Sequence, residues 1–209
     1  MSPARLIAVE GIDGSGKSTQ ARLLADSLGA VSTFQFGATE VGRAVRTLLL
    51  DPNDDTLSDR AEALLIVADK AQHVAEIVAP ALSAGRDVVS DRFTASTLAY
   101  QGYGRGLDLQ ELRMMMRFAT DGIEPDLNLL LDLPVESAVA RLGPSPDRFE
   151  AGGSRFLQKV RDGYLAMAEA DPGRWLVVDA EGSEGQVSVR ARAAVRARLG
   201  VYRPGVSSQ

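Results

Sequence analysis

An α/β fold built on a buried parallel sheet follows from three observations on this 209-residue chain. Short β-rich runs alternate with longer helical stretches along the sequence, and a β-α-β-α order implies a sheet sandwiched between helices. The β-rich runs are nearly continuous in apolar residues, as expected for strands buried on both faces. The first of them leads through a glycine-rich turn directly into a helical pattern.

Five strands are predicted, at Leu6–Glu10, Val31–Phe36, Asp87–Ser90, Leu127–Leu133 and Trp175–Asp179. Helices are predicted between them at Lys17–Leu28, Glu40–Leu50, Asp59–Ser83, Leu109–Thr120, Val135–Leu142, Phe156–Ala170 and Gln186–Leu199. Asp108 stands just before Leu109 with Glu111 three positions on, an N-terminal capping arrangement. Within the longest helix Pro80 is expected to kink or end it early, and Gly85 to stop it. The segment 143–154, "GPSPDRFEAGGS", breaks the pattern with glycine, proline and charge. Its composition suits a surface loop as well as a short lid over an active site. The length suits a single domain over residues 1–209.

Composition narrows the function classes. A net charge of −5 without a block of like charges argues against nucleic acid as a partner. The arginines at 190, 192, 196 and 198 read as the solvated face of a terminal helix. No apolar run approaches the length of a membrane span, and the run Leu6–Val9 is too short for a signal-peptide core. The absence of cysteine fits a reducing compartment. Together these give a cytoplasmic protein as the expectation.

The turn after the first strand reads "GIDGSGKS" over Gly11–Ser18 and matches G-x-x-x-x-G-K-[ST] in full. It lies between a strand and a helix, where the mechanism requires it. Gly11, Ile12, Asp13, Gly14, Ser15, Gly16, Lys17, Ser18 and Thr19 are thus candidates for cradling the phosphates of a nucleoside triphosphate. Backbone N–H groups and the helix dipole favour the anion, Lys17 reaches the β- and γ-phosphates, and Ser18 holds Mg²⁺. The fold is then of the P-loop NTPase type. The motif leaves open whether the γ-phosphate is hydrolysed, as in an ATPase or nucleotide switch, or passed to an acceptor. The Asn-Lys-x-Asp stretch of guanine-reading switches does not occur. A second motif, "VVSDRF" over Val88–Phe93, carries an acid and a base to the end of a buried strand, the edge where ligands bind in open α/β sheets.

Taken together, "EGIDGSGKST", "VVSDRFTASTLAYQGYGRG", "PDLNLLLDLP" and "DRFE" resemble the thymidylate kinase family in order and spacing, from Leu6 to about Asp179. The resemblance implies transfer of the γ-phosphate of ATP to dTMP, with Mg²⁺, by a homodimer. It also implies roles by position. Asp13 contacts the acceptor nucleotide, Arg92 and Arg46 hold its phosphate, and Asp91 orients Mg²⁺ through water. Thr97 faces the thymine edge, with Gln101 alongside and Ser96 nearby, and Tyr100 packs on the deoxyribose. Arg148 is the lid arginine that neutralises the transferring group, a contribution of about 10³–10⁵ in rate. The catalytic set is then Lys17, Asp13, Asp91, Arg92 and Arg148.

The sequence departs from the family in two places. "FQFGAT" over Phe34–Thr39 replaces the Arg-Glu-Pro-Gly-Gly-Thr frequent in bacterial relatives. Ile66 and Lys70 stand where relatives commonly have a Phe that stacks on thymine and an Arg that bonds its carbonyl. These two lie four apart and share a helix face, and Phe36 is a candidate for the missing aromatic surface. The departures keep a kinase for another deoxynucleoside monophosphate as an alternative. His73 is expected to be structural or exposed rather than catalytic, Met114–Met116 to serve core or dimer packing, and Trp175 to pack.

Overall fold

The computed structural model describes residues 3–51, 57–142 and 153–200. Five parallel strands, β1 (Leu6–Glu10), β2 (Val31–Phe34), β3 (Val88–Asp91), β4 (Leu127–Asp132) and β5 (Trp175–Asp179), form one sheet in the order β2-β3-β1-β4-β5. The chain moves from β1 toward β2 on one side, then from β3 back past β1 to β4. The connections leaving β1 and β3 run in opposite directions across the sheet, and a crevice opens between these strands at their carboxyl ends. The phosphate loop follows β1 and the Asp91-Arg92 pair closes β3, so topology alone brings the two motifs together.

Burial on both faces explains the apolar runs. Ile7 and Val9 of β1 enter the main core with Val89, Leu129 and Leu131. Leu6 and Ala8 pack on the opposite face with Val74, Val78, Val88 and Phe93. Trp175 is buried and meets Tyr164 edge-on at 6.5 Å.

The helices among the described residues are α1 (Lys17–Leu28), α2 (Glu40–Leu50), α3 (Asp59–His73), α4 (Ala79–Ser83), α5 (Thr94–Thr97), α6 (Leu109–Ala119), α7 (Val135–Arg141), α8 (Gly153–Ala170) and α9 (Glu184–Leu199). Thr39, Ser58, Asp108 and Ser183 cap α2, α3, α6 and α9 with side-chain oxygens, each satisfying an orphan N–H. The Asp108 cap was expected. Ser183, with Gln186, starts the last helix two residues earlier than its periodicity indicated.

Two expectations need correction and a third is narrowed. β2 ends at Phe34 rather than Phe36, because its partner β3 ends at Asp91; only Gln35 N, donating to Asp91 O at 2.9 Å, extends the pairing. Of the two outcomes expected of Pro80, it does not end the long helix, which runs on to Ser83 as predicted. A wider π-helical turn over Val74–Val78 precedes Pro80. The extra residue in that turn accommodates the missing N–H. The stretch Thr94–Gly104, for which periodicity indicated no helix, is helical throughout: α5 runs into a π-helical turn over Leu98–Gly104.

Candidate active site

The phosphate loop is shaped by backbone rather than by side chains. Gly14 has φ +81°, and a Cβ there would lie 2.4 Å from Ala138 O of α7. Gly16 takes φ 86° at the N-cap of α1, which carries no side-chain cap and no acid in its first turn. Alone among the long helices whose cap is described, α1 thus offers its first N–H groups to a ligand, with the positive end of its dipole behind them.

The side chains around the loop form a charged cluster. Lys17 Nζ donates to Ile12 O at 2.7 Å and lies 3.7 Å from Asp13 Oδ1. Burial lowers the Lys17 pKa and Arg92 lowers it further; Asp13, Asp91 and Glu10 offset this only in part, leaving about 8. Asp13 accepts from Arg92 Nη2 and, at 2.6 Å, from the Tyr100 hydroxyl. Burial raises its pKa, but the charges of Arg92 and Lys17 and these hydrogen bonds prevail and hold it at about 2. The acid in the middle of the phosphate loop is therefore an anion enclosed by two cations.

Arg92 joins the two strand ends. Its backbone sits in the left-handed region, φ 68°, a costly conformation for a residue with a Cβ. Arg92 N donates to Val9 O at 2.9 Å, and its guanidinium reaches Ser96 Oγ at 3.1 Å and Tyr100 Oη at 3.2 Å. Glu10, fully buried at the end of β1, accepts from Phe93 N at 2.8 Å, Ser96 Oγ at 2.6 Å and Tyr164 Oη at 3.1 Å. Sequence reasoning passed over Glu10 as a strand end and Tyr164 as a helix residue. They are 154 positions apart, and nothing local signals the contact.

A cleft of about 930 Å³ opens over this cluster. Asp13, Gly14, Gly16, Lys17, Ser18, Thr19, Phe36, Arg46, Ile66, Lys70, Asp91, Arg92, Ser96, Thr97, Tyr100 and Gln101 all line it. Gly11, Ile12 and Ser15 are not on its wall. Arg148 and residues 143–152 of the expected lid lie outside the described residues. Arg141, at the end of α7, does line the cleft and donates to Gly14 O at 3.5 Å and Ala180 O at 3.2 Å.

On the far wall, Arg46 donates to Phe36 O at 3.0 Å, with its guanidinium 5.4 Å from the Phe36 ring centroid. Ile66 is buried nearby. Lys70 is 1% exposed, lies 4.9 Å from the Phe93 ring centroid and donates to Gln35 Oε1. Burial lowers its pKa to about 8, with Glu10 and Asp69 opposing the shift. Asp69, also buried, was not singled out in the sequence. It accepts from Gly37 N at 3.2 Å, and burial raises its pKa. His73 is buried against Thr33 Oγ1 at 2.7 Å, and burial and Lys70 lower its pKa to about 4. Of the two placements expected for it, structural or exposed, it takes the structural one.

Comparison with known proteins agrees with this arrangement. The family model described as "Thymidylate kinase" matches residues 9–190. A thymidylate kinase of Desulforudis audaxviator is 48% identical over 200 residues, covering 92% of this chain and 90% of that protein. One of Desulfovibrio desulfuricans is 45% identical over 207 residues, covering 92% and 95%. The crystal structure of thymidylate kinase from Ehrlichia chaffeensis superposes with a TM-score of 0.77 at 28% identity, covering 93% of this chain and all of that one. By sequence and by fold, the chain belongs to the thymidylate kinase family, ATP-dependent kinases that convert dTMP to dTDP.

Proposed function

We propose that the cleft binds ATP against the phosphate loop and dTMP against the wall formed by Phe36, Arg46, Ile66 and the Thr94–Gly104 segment, and that the γ-phosphoryl group passes between them. The observation that carries this reading is the Asp13–Arg92–Tyr100 cluster. It ties the donor loop to the acceptor wall, so the two nucleotides meet where Lys17 and Arg92 supply positive charge. Phosphoryl transfer relies on positioning and charge neutralisation more than on a strong base. Lys17 and the N–H groups of α1 hold the donor phosphates. Arg92 and Arg46 hold the acceptor phosphate. Asp13 orients Arg92 and Tyr100 and accepts from the acceptor nucleotide. Arg148, the family's lid arginine by position, is proposed to neutralise the transferring group.

The donor set suits Mg²⁺. Ser18 Oγ donates to Asp91 Oδ2 at 2.5 Å, and Asp91 Oδ1 is buried without a hydrogen-bond partner among the described residues. No cluster of three or more His, Cys, Asp or Glu fit to hold a metal occurs among the described residues, which agrees with an ion that keeps most of its ligands as phosphate oxygens and water. Ser18 and Asp91 are the residues that would hold it, Asp91 through water. Bound there, the ion offsets charge on the β- and γ-phosphates.

A homodimer in the cytoplasm belongs to the same proposal. Helix α3 packs against α2 and α6, and the three expose Leu48, Leu64, Met114 and Phe118, apolar side chains that a second copy could cover. No helix among the described residues is long and apolar enough to cross a membrane.

A coupled ADP-release assay with dTMP, dUMP, dCMP, dGMP and dAMP tests the reading. dTMP should turn over fastest. Equal rates with every monophosphate, or ATP turnover that ignores them all, would refute it.

A further inference from the structure

Gln35 stands just past the end of β2, 7% exposed, and lines the cleft. The two ends of its side-chain amide differ. Oε1 accepts from Lys70 Nζ, while Nε2 is buried with no hydrogen-bond partner among the described residues. An ammonium only donates, so Lys70 fixes which end of the amide is oxygen. Lys70 is itself buried over the Phe93 ring. A buried amide N–H₂ without a partner is an exception that calls for an explanation, and here it belongs to a residue that lines a cleft made for a ligand.

Gln101 is fixed in the opposite sense. Its Nε2 donates to Glu62 Oε1 at 3.0 Å, and the Glu62 carboxylate, which also takes Arg105 Nη2 at 3.2 Å, only accepts. Gln101 Oε1 is then the end of that amide available to the cleft it lines. The acceptor wall therefore carries one oriented donor and one oriented acceptor.

We propose that Gln35, oriented by Lys70, reads the acceptor base: its Nε2 donates to the C4 carbonyl of a pyrimidine-2,4-dione while Gln101 Oε1 accepts from the N3–H. The inference rests on the dTMP kinase reading above. A cytosine presents an amino group at C4 and an unprotonated N3, so it would set donor against donor and acceptor against acceptor. Lys70 then acts on the base through Gln35, rather than by the direct carbonyl contact implied for an arginine at its position.

The experiment compares kcat/KM for dTMP, dUMP and dCMP in the unmodified enzyme, Gln35→Leu, Gln35→Glu and Lys70→Met, with thermal unfolding as a check on folding. The unmodified enzyme should favour both diones over dCMP. Gln35→Leu should lower kcat/KM for dTMP and dUMP about ten- to a hundredfold, chiefly through KM, and change dCMP and the KM for ATP less than about threefold. Gln35→Glu replaces the donor with an acceptor and should narrow the dTMP-to-dCMP ratio further. Lys70→Met frees the amide to turn and should narrow the same ratio. Folded Gln35 variants that keep that ratio overturn the proposal. Should the variants not fold, the unmodified enzyme still decides: a deoxyribonucleotide of 4-thiouracil, which keeps the N3–H but puts a weakly accepting sulfur at C4, should turn over about tenfold less efficiently than dUMP, and one of 2-pyrimidinone, which lacks both the C4 oxygen and the N3–H, less efficiently still; equal turnover of the 4-thiouracil nucleotide and dUMP overturns the proposal. An unmodified enzyme inactive on dTMP would instead defeat the kinase reading.

Discussion

The two walls of the cleft are built on different principles. The donor wall is local. Gly11 to Thr19 are consecutive, Lys17 bonds Ile12 five positions away, and the ligand is to be held by backbone N–H groups that any sequence able to make the turn would supply. The acceptor wall is assembled from separate segments. Gln35 meets Lys70 across 35 positions, and Gln101 and Arg105 meet Glu62 across 39 and 43. The donor wall needs only to recognise a triphosphate, which a turn and a dipole do. The acceptor wall must distinguish bases, which requires side-chain amides fixed in direction, and each is fixed by a buried ion. Asp13 and Arg92 are the seam between the walls.

The two walls should separate most clearly at Lys17. Lys17→Ala should lower kcat by at least about 10²–10³-fold, because no other buried cation lies within the loop, while dTMP binding measured by calorimetry stays within about threefold. Loss of dTMP binding of similar size would mean the walls are not separable. The seam should show an intermediate effect. Asp13→Ala removes the partner of both Arg92 and Tyr100, and should lower kcat/KM for dTMP about 10–10²-fold with a much smaller change in ATP affinity. Equal losses on both substrates would assign Asp13 to the donor wall alone. On the acceptor wall Phe36→Ala should raise the KM for dTMP about three- to tenfold, through lost apolar surface and the loss of its contact with Arg46. An unchanged KM would remove Phe36 from the base pocket.

The same division explains what was legible in the sequence. The phosphate loop could be read because its function lies in consecutive residues with a fixed strand-turn-helix context. The strand cores could be read because burial on both faces leaves an apolar run. The helix over Thr94–Gly104 could not, since its π-helical turn has no 3.6-residue period and its cleft-facing Ser96, Thr97, Tyr100 and Gln101 are polar or aromatic. Gln35 could not, because an unpartnered amide is a property of the packed structure. Lys70 looked like a weakened arginine until its burial and its contact with Gln35 gave it a different task. The family resemblance named Arg46, Lys70, Thr97, Tyr100 and Gln101 on the acceptor wall, but not Gln35 or Glu62, and not which residues hold one another.

The smallest effect separates the walls by titration. Lys17 and Lys70 both have pKa values lowered to about 8, so each is charged below that pH and loses its proton as pH rises through it. The profile of kcat/KM reports groups of the free enzyme. The profile for ATP should therefore fall above about pH 8 as Lys17 loses charge. The profile for dTMP should fall in the same range as neutral Lys70 ceases to fix the Gln35 amide. Asp69 raises the pKa of Lys70 but is not among the groups acting on Lys17. Asp69→Asn should accordingly move the basic limb for dTMP to lower pH, by less than about one unit, and leave the limb for ATP in place. Limbs that moved together would show that the two lysines titrate as one system, and the division between a local donor wall and an assembled acceptor wall would fail at its most sensitive point.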